Sequence, residues 1–200
     1  MRTLTARPAA AMLAAFMVGF SAAAIADEDR NDGDTFAARL SGYNEVHFIA
    51  TVPALRGAVS TRARGNFRAV IDDRAQRIDY ELSFEGLEAD VTQSHIHFGQ
   101  RHTVGGIVVW LCQTAGTPAP AAVAGLTPLC GGPRANTVTG TITPAQVIEV
   151  VGQGIAPGEF DELVRAIRAG ATYANVHSVT FGPGEIRGRL EHGDGHRGRD

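Results

Sequence analysis

The segment Ser94-His95-Ile96-His97-Phe98-Gly99 sets two histidines two residues apart, and a third, His177, lies in Tyr173-Ala174-Asn175-Val176-His177-Ser178. Both segments have the alternating character of strands. Successive strand residues point to opposite faces, so His95 and His97 share one face while Ile96 and Phe98 share the other. Imidazole nitrogen suits zinc, copper and iron. Three imidazoles on two strands of a rigid sheet could therefore hold one transition-metal ion, with His102, in the Gly99–Gly105 loop, as a candidate fourth ligand. The competing reading is a structural network in which the imidazoles hydrogen-bond to backbone carbonyls and to Asn175 or Glu185. That network is the default reading, with no cofactor; the metal site is the alternative. Glu185 and Arg187 share one face of the next strand with Ile186 opposite, and read as a structural pair beside the histidines rather than as a ligand site.

Other chemistry is hard to place. The chain has no G-x-S-x-G elbow, P-loop or dinucleotide glycine fingerprint. No pair of carboxylates converges on a recognisable cleft, as general acid and base would require. No catalytic residue is named, and an enzymatic role is not expected.

The elements that must carry these residues are mostly short strands. Phe36, Ala38 and Leu40 alternate with Ala37 and Arg39 and end at Ser41-Gly42. Residues 57–71 suggest one or two strands broken near Gly65-Asn66. Ile78 to Phe84 is apolar on one face and polar on the other, and Glu85-Gly86-Leu87 turns the chain back. Gly106-Ile107-Val108-Val109-Trp110-Leu111-Cys112 is a continuous apolar run, which implies a strand buried on both faces. Val138 to Ile142 is another short strand, and Thr143-Pro144 suggests a short helix reaching Val151. Phe160, Leu163, Val164 and Ile167 fall at i, i+3, i+4 and i+7, so 159–169 is expected to be an amphipathic helix, with Gly170 as its C-terminal stop. Strands over 172–181 and 185–191 close the chain. The expected class is mainly β: an antiparallel sandwich or barrel with one inserted helix.

Composition bounds the setting. Arg2 and Arg7, the apolar run Ala9–Phe20 and Ala24-Ile25-Ala26 have the form of a signal peptide over residues 1–26. An acidic leader over 27–35, one β-domain over 36–191 and a Gly/Arg/His tail over 192–200 would follow. With 18 basic and 21 acidic residues in the chain, loss of Arg2 and Arg7 leaves 16 − 21 = −5. The arginines are scattered and interleave with no aromatic series, so nucleic acid is not expected as a partner. Cys112 and Cys130 in an exported protein read as one disulfide closing an Ala/Pro/Gly-rich loop.

Several segments in one order resemble the CHRD domain family: Leu40-Ser41-Gly42-Tyr43-Asn44-Glu45-Val46, Ser94 to Gly99, the strand ending Leu111-Cys112, Val138 to Ile142, and Ile167 to Gly170 with Tyr173 to Ser178 and Gly184 to Gly188. The similarity spans about residues 36 to 191. It implies an immunoglobulin-like β-sandwich or barrel, a bacterial exported single-domain protein, periplasmic or secreted, and a non-catalytic binding or structural role. The partner would be an envelope or extracellular protein or a small ligand, with no membrane span once the signal is cleaved. One departure is local: the family follows Glu-Val with prolines, whereas here His47-Phe48-Ile49 follow. Ser94 to Gly99 is also similar to a segment of copper–zinc superoxide dismutase, but over that stretch alone, so dismutase activity is not carried over.

Overall fold

The structure, a computed structural model, describes residues 34–48 and 56–193. The signal peptide expected over 1–26 and the end of the tail lie outside the described residues. In chain order the elements are β1 (Asp34–Ser41), β2 (His47–Phe48), β3 (Arg56–Gly57), β4 (Arg64–Asp72), β5 (Arg77–Glu85), β6 (Val91–Phe98), β7 (Gly106–Cys112), α1 (Ala121–Ala124), β8 (Asn136–Ile142), α2 (Phe160–Arg168), β9 (Thr172–Ser178), β10 (Ile186–Arg189) and β11 (Glu191–His192). One nine-stranded antiparallel sheet runs β7-β6-β9-β10-β1-β4-β5-β8, with β11 also pairing β1; β2 and β3 form a separate ribbon.

The sheet curls until its end strands, β7 and β8, lie against each other, giving a nearly closed barrel. This is the barrel form of the expected β class. Bonds reach β7 from elements other than β6. The Tyr80 hydroxyl donates to Leu111 O at 2.6 Å, and Ile148 N–H donates to Val108 O at 3.0 Å. Strand alternation fills the interior: Phe67, Ala69 and Ile71 of β4 and Ile78, Tyr80, Leu82 and Phe84 of β5 point inward, with exposed residues between most of them. The α2 stripe of Phe160, Leu163, Val164 and Ile167 packs into the same core. Its last turn is tied down by Arg168, which bonds Asp34 and Asp73, and Gly170 ends it at φ +63°.

Four local expectations need correction. First, β4 runs unbroken through Gly65-Asn66. A Cβ on Gly65 would sit 2.7 Å from Ser83 O and 3.1 Å from Ile186 Cδ1, so this glycine admits a close approach and does not interrupt the strand. Second, the helix expected after Thr143 is a single 3-10 turn, Pro144–Gln146. Gln146 Oε1 accepts from the Thr143 N–H and hydroxyl, but Val147 is already extended and buries its side chain in the core with Val150. Burial of these valines along β7 outweighs helix continuation. Third, α1 appears inside the 113–136 loop. Fourth, the sheet extends beyond its expected limits: β1 starts at Asp34, inside the expected leader, and His192 belongs to β11, with its ring 4.3 Å from Phe36.

Candidate metal centre

The register of the sheet places the histidines. Across β6 and β9, His95 lies opposite Asn175 and His97 opposite Tyr173; across β9 and β10, Asn175 lies opposite Arg187. His95 also faces Trp110 on β7. The intervening residues Ile96, Ala174, Val176 and Ile186 are in the hydrophobic core. The polar residues therefore occupy the outward face of the barrel wall, yet His95 is 0%, His97 7% and His177 5% exposed.

Loops supply the cover. The Cys112–Cys130 disulfide closes the 113–129 segment. Gln113 fastens that segment from within: its amide donates to Ala124 O and Thr127 O and accepts from Ala119 N–H. Ala119 and Val123 then pack on Trp110, whose ring stands edge-on to His95 at 4.3 Å. The disulfide expected from the sequence thus anchors one wall of the histidine site.

Each imidazole is held by a definite bond. His97 Nδ1 lies 2.9 Å from Gly105 O, and His177 Nδ1 lies 2.7 Å from Gly182 O. A carbonyl oxygen can only accept, so both rings carry their proton on Nδ1 and present a bare Nε2. His95 Nδ1 is 3.1 Å from His177 Nε2 and must donate to it, which leaves His95 Nε2 bare as well. His95 Nε2 and His97 Nε2 have no hydrogen-bond partner, and neither has the buried Nε1–H of Trp110. Donation of the remote ring N–H to a backbone carbonyl is the arrangement that orients metal-ligating histidines.

One nitrogen from each of His95, His97 and His177 falls within 4.8 Å of the others. The 3.1 Å contact between His95 and His177 is a hydrogen bond through the His95 Nδ1 proton, so a metal ion would use the bare Nε2 of His95 and take the place of that bond at His177 Nε2. Burial holds all three rings neutral. It lowers the His177 pKa to about 4 against the opposing pull of Gly182 O. It lowers His97 to about 4 as well, opposed by Gly105 O and Asn175 and assisted by His177 and Arg187. His95 is pushed well below its ordinary value by burial, then by its two histidine neighbours. Neutral imidazole is the ligating form.

The other expected residues divide. His102 is exposed at φ +62° in the β6–β7 loop and is not in the cluster. Asn175 is in the same row as His95. Glu185 is fully buried but faces elsewhere: its Oε1 accepts from Thr61 Oγ1 at 2.8 Å and Glu88 N–H at 2.9 Å. It pairs with neither the histidines nor Arg187. Arg187 instead donates to Thr103 O and Gln100 O and lies 3.3 Å over the Tyr173 ring. Tyr173 is stacked parallel on His97 with centroids 4.7 Å apart, so Arg187, Tyr173 and His97 form one column. The carboxylate that bears on Arg187 is Glu45, buried in the turn after β1, and its pKa is raised by burial despite the Val46 N–H and Arg187. Glu45, Trp110 and Tyr173 were not named as site residues. The strand positions of Trp110 and Tyr173, aligned with His95 and His97, were the signal available for them; for Glu45 it was its place in the Leu40–Val46 segment.

No curated protein and no solved structure matches the chain. The family model for the CHRD domain matches residues 36–190, from β1 through the end of β10, and takes in every residue of the histidine cluster and its column. The chain belongs to the CHRD domain family.

Proposed function

We propose that this CHRD domain is an exported, non-catalytic binding module whose ligand is a single transition-metal ion held by His95, His97 and His177. The observation that carries the reading is the pair of bare Nε2 atoms on His95 and His97, buried without a donor. An unsatisfied buried acceptor costs on the order of 1–3 kcal/mol, and a metal ion would convert that cost into bonding. The disulfide agrees with an oxidising compartment, and among the described residues no helix is long and apolar enough to cross a membrane.

Among the ions that imidazole suits, cuprous copper fits best. The three ligands are neutral and the cluster contains no carboxylate, while the Arg187 guanidinium adds positive potential at His97. Burial cost rises with the square of charge, so a dication costs roughly four times as much as a monocation here. Trp110 is the chain's one tryptophan and stands against His95, which makes it a direct reporter. Anaerobic titration of tag-free mature protein with Cu(I) should quench its fluorescence with a break at one equivalent, and His97→Gln should abolish the break. A titration without saturation, or one unchanged by His97→Gln and by His177→Gln, would refute the reading.

A further inference from the structure

A groove of about 720 Å³ opens on the outward face of β4, β1 and β10; Arg187 at the end of the histidine column reaches its lining, but none of His95, His97 and His177 does. Its lining includes Arg39, Arg68, Arg101, Arg187 and Arg189 against one carboxylate, Glu191, a formal +5 − 1 = +4. The chain as a whole is −3. Scattered in sequence, these arginines are gathered by strand register, apart from Arg101, which the β6–β7 loop brings in. Ser41 pairs Arg187 and Ala37 pairs Glu191, so Arg39, midway between, lies directly opposite Arg189. On the other side of β1, Ala37 lies opposite Arg68.

Like charges directly opposite on neighbouring strands destabilise a sheet. Among the described residues, Arg39, Arg68 and Arg189 make no ion pair or side-chain hydrogen bond, and the groove's one carboxylate, Glu191, meets Arg101 at 3.5 Å. The lining includes the small residues Ala37, Thr35 and Gly193, with Ala37 opposite Arg68. Arg189 is also positioned. Its guanidinium lies against Gly170 at the end of α2, in space that any Cβ there would occupy. Four exposed guanidinium forks in a lining with these small residues match the planar, two-pronged geometry of oxyanions. The volume suits a small molecule.

We infer that this groove is a binding site for a small multivalent oxyanion, a compound carrying two or more phosphate or carboxylate groups. Arg39, Arg68 and Arg189 supply the contacts, with Arg101 released from Glu191 on binding. The site stands on different residues from the histidine cluster, so it survives or fails independently of the metal reading.

Calorimetric titration of the mature protein with inorganic pyrophosphate and, separately, with citrate tests it, against sodium chloride at matched ionic strength. At least one probe should bind saturably at one per chain. The Arg39→Gln/Arg189→Gln double variant should weaken that binding at least tenfold, and the exposed single variant Arg68→Gln should weaken it in the same direction. Pyrophosphate alone binding assigns phosphate chemistry; citrate alone assigns carboxylates; both binding assigns the shared oxyanion chemistry. No saturable binding beyond the chloride control, or equal binding by the wild type and both variants, would overturn the proposal.

Discussion

His95 Nδ1 lies 3.1 Å from His177 Nε2, and this contact sets the tautomer of His95. Gly182 O fixes the proton of His177 on Nδ1, so His95 has to donate. The chain of bonds ends on a bare, buried His95 Nε2. All three rings are neutral, and the cluster cannot accept a proton without breaking a bond or burying a charge.

Acid should therefore unfold the metal-free protein through these groups. His97 and His177 have pKa values near 4 in the fold, against an ordinary 6.5. The unfolded chain takes up protons that the folded chain refuses between those limits, so their contribution is complete above about pH 6.5 and is lost as pH falls toward 4. Each group accounts for about 3 kcal/mol over that window. Urea midpoints from pH 7.5 to 4 should fall across it, and His177→Gln should flatten the slope. A midpoint independent of pH over this range would contradict the assignment of neutral buried rings.

Gly105 should prove essential to the site. A Cβ there would run into Phe98 O and reach 2.8 Å from Gly99 Cα, so Gly105→Ala must open the β6–β7 hairpin end and pull Gly105 O away from His97 Nδ1. Metal affinity should fall at least tenfold, with a stability loss of about 1–3 kcal/mol. Unchanged affinity in competition with a chromophoric chelator would show that His97 does not depend on that carbonyl.

Reducing the Cys112–Cys130 bond should act at the site as well as on stability. Its sequence separation is 18, for which loop closure contributes about 3 kcal/mol on the chain-entropy model. The same loop packs Ala119 and Val123 on Trp110. A Cys112→Ala/Cys130→Ala variant should melt lower, and its Trp110 emission should shift to the red. A lower melting point with unchanged emission would separate the disulfide from the cover of the histidines.

Much of this was legible in the sequence because it rests on period and turn chemistry. The inward alternation of β5, the i, i+3, i+4, i+7 stripe of α2 and the glycine after it all appear where expected. The shared face of His95 and His97 follows from the two-residue repeat. What failed depended on tertiary packing. Gly65 looked like a strand break because its reason, the approach of Ile186, comes from a strand more than a hundred residues away. Thr143-Pro144 carried a sound helix-start signal, yet the valines that follow are taken up by the core. The expected Glu185–Arg187 pair failed for the same cause: Thr61 and the Glu88 amide claim Glu185, while loop carbonyls and Tyr173 claim Arg187.

X-ray absorption at the copper edge, on mature protein loaded anaerobically with one equivalent of Cu(I), tests the central claim most directly. The account predicts a nitrogen-only first shell at about 2 Å with the outer-shell scattering of two or three imidazoles, lost in the His97→Gln/His177→Gln double variant. A first shell of oxygen or sulfur, or a spectrum that the double variant leaves unchanged, would contradict it.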